Sequence, residues 1–125
     1  MIFYELSWVF TNLASLTDKT FLADFSRPEL YSFINMILES EKTTIVDNGL
    51  HLSVNLLGSI ETVKECLLNT NLIAFIKSKL EMANVKIKIV RKIAWVFSNL
   101  GKMKNFLLMN DQNNFFADTL HYALI

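Results

Sequence analysis

Apolar residues recur along this chain at three-and-four spacing, the pattern of helices that bury one side. Leu30, Phe33, Ile34, Ile37 and Leu38 form one such stripe, and Leu72, Ile73, Phe75, Ile76 and Leu80 form another. The spacing predicts helices over 28–39 and 71–82. Pro28 suits the start of the first, because its missing N–H would have no partner in a first helical turn. Longer helices are predicted over 3–13, 43–57 and 85–100, the last two ending near Gly58 and Gly101. Shorter ones are predicted over 20–25, 60–68 and 103–109, followed by a final helix over 111–124. With one proline and three glycines in 125 residues, there is little turn punctuation for an all-β fold.

The long helices share a motif. Trp8-Val9-Phe10-Thr11-Asn12-Leu13, His51-Leu52-Ser53-Val54-Asn55-Leu56 and Trp95-Val96-Phe97-Ser98-Asn99-Leu100 each carry a ring, an asparagine four residues later, and then leucine. The asparagines are 43 and 44 residues apart, within the range of armadillo and HEAT repeats, which are built from two or three helices each. The expected organisation is a single all-α domain, an armadillo-type α-α superhelix (solenoid). Its parts are a partial repeat at 1–17, full repeats at 18–58 and 59–101, and a partial repeat at 102–125.

Turning each long helix by about 100° per residue separates an apolar side from a polar one. Phe3, Leu6, Val9, Phe10 and Leu13 fall together, as do Ile45, Val46, Leu52 and Leu56, and Ile89, Val90, Ile93, Val96, Phe97 and Leu100. The rings lie opposite: Trp8 beside Glu5 and Asn12, His51 among Thr44, Asp47, Asn48 and Asn55, and Trp95 among Lys88, Arg91, Lys92, Asn99 and Lys102. A core tryptophan would sit in the apolar stripe, so a ring on a polar face points to recognition. Stacked helices would gather these positions on one concave surface, with Asn12, Asn55 and Asn99 along it. An asparagine amide can grip a peptide's C=O and N–H. The rings can flank aliphatic stems or attract a cation. The candidate peptide-binding residues are therefore Trp8, Asn12, His51, Asn55, Trp95 and Asn99. The competing reading has the asparagines bonding neighbouring loops and the tryptophans packing against other segments.

The ring–asparagine words, with Arg91 four residues before Trp95, resemble the tryptophan–asparagine array of importin-α, the armadillo adaptor that carries nuclear-localisation signals. The resemblance spans about residues 2–105 and best matches the units that form that family's major cargo groove. It implies a right-handed superhelix, no cofactor, backbone gripping of basic peptides, and a place in the cytoplasm or nucleus. The sequence departs from the family at several points. His51 stands where a tryptophan is expected. Leu16, Ser59 and Met103, four residues after each asparagine, are not acidic. Lys88, Arg91 and Lys92 around Trp95 would repel basic cargo.

Charge and chemistry narrow the reading further. Twelve Lys and Arg balance twelve Asp and Glu, which gives no electrostatic case for nucleic acid or an anionic membrane surface. No apolar run approaches bilayer length, and the first residues lack the form of a secretory signal. Cys66, the single cysteine, lies in an apolar run and reads as a buried thiol. His51 and His121 are far apart and have no second histidine at metal-ligand spacing, although Asp47 lies within one turn of His51. The glycines are too scattered to cradle phosphate. No set of residues converges as acid, base and nucleophile, so a non-enzymatic binding protein without cofactor or metal is expected. The different-class alternative is a structural subunit whose groove and repeat ends are covered by neighbours. Phe3, Leu6 and Phe10 at one end, and Phe106, Leu107, Leu108, Phe115, Phe116, Leu120 and Leu124 at the other, should be partly uncovered. A different subunit is the expected cover, because end-to-end stacking of copies has no built-in closure.

Overall fold

The computed structural model describes residues 2–14, 24–109 and 114–124. Among these residues the chain is all-helical, with seven helices and no strand. They are α1 (Ile2–Ala14), α2 (Pro28–Leu38), α3 (Thr43–Leu57), α4 (Val63–Asn69), α5 (Leu72–Leu80), α6 (Ile87–Leu108) and α7 (Phe115–Leu124). None of them is long and apolar enough to cross a membrane. Most of the helix expected over 20–25 lies outside the described residues, as do the side chains of Phe3 and Leu124.

The element starts repeat with the sequence. α2, α5 and α7 begin at Pro28, Leu72 and Phe115, and α3 and α6 at Thr43 and Ile87. α3 is the centre of the molecule, packing against α1 on one side, α6 on the other, and α2 and α4 behind. That position explains a burial pattern wider than one stripe. Leu50 and Val54, outside the expected apolar side, are buried as fully as Leu52 and Leu56, and Asp47 and Asn48 are buried as well.

Contacts of side chains fix the orientation of the row. Asn55 reaches a residue 44 positions earlier in α1, while Lys92 and Asn99 each reach a residue 45 positions earlier in α3. A near-constant difference in residue number means that the three long helices run parallel and in register; antiparallel neighbours would give a constant sum. α2 lies behind the row. Gly49 sits roughly 200° around α3 from His51 at 100° per residue, and a Cβ there would lie 2.8 Å from Ile37 Cγ1 of α2. Only glycine permits so close a crossing without displacing Ile37.

One expected helix end and several expected burials need correction. α6 does not stop at Gly101 but continues to Leu108, absorbing the separate helix expected over 103–109. An interior glycine costs only about 1 kcal/mol relative to alanine, whereas complete burial of Leu107 returns about 2 kcal/mol. Val9, Val90 and Leu80, expected on buried sides, are exposed, because no described helix covers those sides. At the chain's ends Leu6, Phe10 and Phe106 are partly buried and Leu108 and Phe115 exposed, while Leu107, Phe116 and Leu120 are buried.

Candidate functional site

The face of the row opposite α2 carries the candidate residues. Trp8 of α1, His51 of α3 and Trp95 of α6 form one continuous line of rings. Trp8 and His51 meet edge to face with centroids 6.3 Å apart, and His51 and Trp95 lie 5.7 Å apart with planes tilted by 39°. Both distances fall in the range of attractive aromatic pairs. Despite these contacts Trp8 is 39% and Trp95 46% exposed, so each indole keeps a broad apolar surface open to solvent. The line arises because the repeat places a ring at the same angle on each parallel helix.

The asparagines run alongside the rings, one helical turn further on. Asn55 Nδ2 donates to the Thr11 carbonyl at 3.0 Å, and Asn99 Nδ2 donates to the Val54 carbonyl at 2.8 Å. The two bonds are the same bond one repeat apart, since Thr11 and Val54 each precede an asparagine of the series. Each amide thus stitches its helix to the previous one, as the competing sequence reading anticipated, though to a helix rather than a loop. Asn99 is buried, Asn55 half-buried and Asn12 exposed. Asn55 is therefore partly accessible beside the ring line, while Asn99 is shielded.

Charge on the face is arranged differently from the sequence expectation. Asp47, one turn from His51, pairs with Lys92 of α6 at 3.1 Å, and both side chains are largely shielded, at 17% exposure for Lys92 and 11% for Asp47. The ion pair lies beside the ring line and removes Lys92 as a free cation, leaving Lys88 and Arg91 exposed. Partial burial of His51, then the nearby Lys92 ammonium, hold the imidazole's proton affinity below its usual value, with Asp47 opposing them. The middle ring is therefore neutral at neutral pH.

Other polar features are structural, and sequence reasoning missed them. Asn35 of α2 accepts from the Asn71 backbone N–H at 2.7 Å and donates to the Asn69 carbonyl at 3.2 Å, tying α2 to the α4–α5 junction. Thr62 closes the end of α3 by donating to the Leu56 carbonyl at 2.6 Å. Their only sequence signal was a polar residue beside an apolar stripe. Cys66 is completely buried, and burial pushes its thiol up to about 12, consistent with a packing role. Among the described residues no group of three or more His, Cys, Asp or Glu could hold a metal ion. Comparisons with known proteins find no matching family model, curated protein or solved structure.

Proposed function

We propose that the chain is an armadillo-type solenoid that binds an extended peptide, or an extended segment of a protein, along the Trp8–His51–Trp95 line. The carrying observation is the line itself: three rings from three parallel helices, in mutual contact, with both outer indoles widely exposed. Contiguous exposed apolar surface marks interaction sites where singly scattered residues do not, and tryptophan is enriched among the residues that carry binding energy. The in-register row of long helices, repeating every 43 to 44 residues and joined by equivalent bonds, supports the solenoid reading. A peptide lying across the helices would pass Trp8, His51 and Trp95 in turn, laying aliphatic stems between the rings. Asn55 Oδ1 is suited to accept a peptide N–H; Asn12 flanks Trp8, and Asn99 serves mainly as a stitch. A narrower form of the proposal follows the importin-α resemblance: a lysine-rich nuclear-localisation signal as the peptide and protein import as the setting, in cytoplasm or nucleus.

One observation favours the second reading, a structural subunit of a larger complex. The amide nitrogens of Asn55 and Asn99 each already donate one N–H to neighbouring backbone, as a scaffold requires. Fluorescence anisotropy with a labelled, extended lysine-rich peptide separates the two. The binding reading expects saturable binding that Trp95→Ala weakens about tenfold or more, as losing an aromatic anchor does. Absence of binding to any extended peptide, together with purification from cells in one fixed set of subunits, would favour the scaffold.

A further inference from the structure

The row of long helices has two unfinished edges, and the contacts inside it show what would complete them. Each internal rung joins a forward-facing group of one helix to a rear-facing group of the next. Between α3 and α6 these rungs are Asp47 with Lys92, and the Val54 carbonyl with Asn99. One repeat further on, the forward positions Val46, Asp47, Leu50 and Val54 become Val90, Arg91, Ala94 and Ser98. The first four are buried and the second four exposed; Val46 is 5% exposed and Val90 42%. Two repeats back, at α1, the rear positions Lys92, Val96 and Asn99 become Glu5, Val9 and Asn12. All three are exposed, although Val96 itself is completely buried.

The two edges are complementary in charge, with the signs exchanged relative to the internal rung. Inside, an acid faces forward and a base faces back; at the edges Arg91 faces forward and Glu5 faces back. We infer that the chain associates head to tail with a second copy of itself, α1 of one copy lying along α6 of the other in the register that α6 keeps on α3. That register sets Glu5 against Arg91, covers Val90 and Ala94 with Val9, brings Asn12 level with the Ser98 carbonyl, and extends the ring line from Trp95 to the next Trp8. The open, largely apolar cleft of about 460 Å³ lined by Leu6, Phe10, Phe25, Leu30 and Phe33, with Arg27 and Glu29 also at its wall, adjoins α1, and in this register α7 of the other copy, with exposed Phe115, would lie on that side. Lack of closure alone argues for a different partner, but the exchanged charges select a second copy. The contact is heterologous, so growth is open-ended rather than limited to a dimer. This inference depends on the helix register and not on peptide binding.

Sedimentation velocity over a concentration series, at low ionic strength, tests it. The wild-type chain is expected to form a ladder of oligomers that grows with concentration. Arg91→Glu and Glu5→Arg, both at exposed positions that leave the fold intact, should each weaken association about tenfold or more by setting like charges together. An equimolar mixture of the two variants should recover it, since each unlike pair is again opposite in charge, and the double variant should self-associate alone. Far-ultraviolet circular dichroism on each variant checks that it remains helical. A wild-type chain that stays monomeric into hundreds of micromolar, oligomers indifferent to both reversals, or a mixture that fails to recover would overturn the inference.

Discussion

Replacing Asn99 with alanine and with aspartate probes the stitch between α3 and α6. Asn99 is 8% exposed, and its Nδ2 donates to the Val54 carbonyl at 2.8 Å. That carbonyl also accepts from the Gly58 backbone N–H at 3.1 Å, so Asn99→Ala removes one bond without orphaning the acceptor. The loss should be that of a single buried hydrogen bond with a small cavity, about 1–2 kcal/mol. Asn99→Asp is nearly isosteric but sets an acceptor against an acceptor in a shielded site. When ionised, it should cost about 3 kcal/mol or more. Burial beside a carbonyl oxygen raises the new carboxyl group's folded-state pKa above its unfolded value near 3.9. Its protonated form can still donate to Val54, so the variant is closest to wild type below about pH 4. Its deficit then widens as pH rises through the raised folded value. Urea denaturation followed by far-ultraviolet circular dichroism, for wild type and both variants at about pH 4 and pH 7, measures each difference. Equal losses for alanine and aspartate at pH 7, or an aspartate deficit that does not change with pH, would refute the stitching role.

Three further outcomes are expected. His51 should titrate below its usual value of 6.5. A depressed folded pKa gives stability that is present above 6.5 and lost as pH falls through the folded value, so His51→Gln should flatten that part of the profile, and Lys92→Gln should raise the His51 pKa in an NMR titration. Asp47→Ala strands the largely shielded Lys92 and should cost about 1–3 kcal/mol, with the Asp47→Lys/Lys92→Asp exchange recovering part of it in chemical denaturation. Gly49→Ala gains about 1 kcal/mol of helix propensity but drives a Cβ to 2.8 Å from Ile37 Cγ1 in a buried crossing, an overpacking cost of about 1–3 kcal/mol; the net expectation is a lower thermal midpoint by scanning calorimetry.

Much of the helical framework was legible in the pattern of apolar positions. Helix α3 spans the residues predicted for it, and α2 differs by one residue at its end, because Pro28 opens it and the stripe through Leu38 defines its buried side. Gly101 misled, since a glycine stop signal yields where the following turn buries a side chain as well as Leu107 does. The ring line was legible because period and helical angle together set it. The partners of the polar side chains were not. From one helix, Asp47 has His51 a turn away, and nothing local reveals Lys92 45 positions later. The asparagines likewise read as peptide-facing amides, and only the neighbouring carbonyls, supplied by another helix, reveal Asn55 and Asn99 as stitches.

The central claim is that an extended peptide lies along the three rings, and an NMR titration of the labelled chain with an extended lysine-rich peptide tests it most directly. The account predicts that the indole N–H signals of Trp8 and Trp95 and the ring signals of His51 shift together, with one dissociation constant, and that Trp95→Ala weakens binding at all the remaining positions. Saturation by the peptide with all three rings unmoved, or no binding at millimolar peptide, would contradict it.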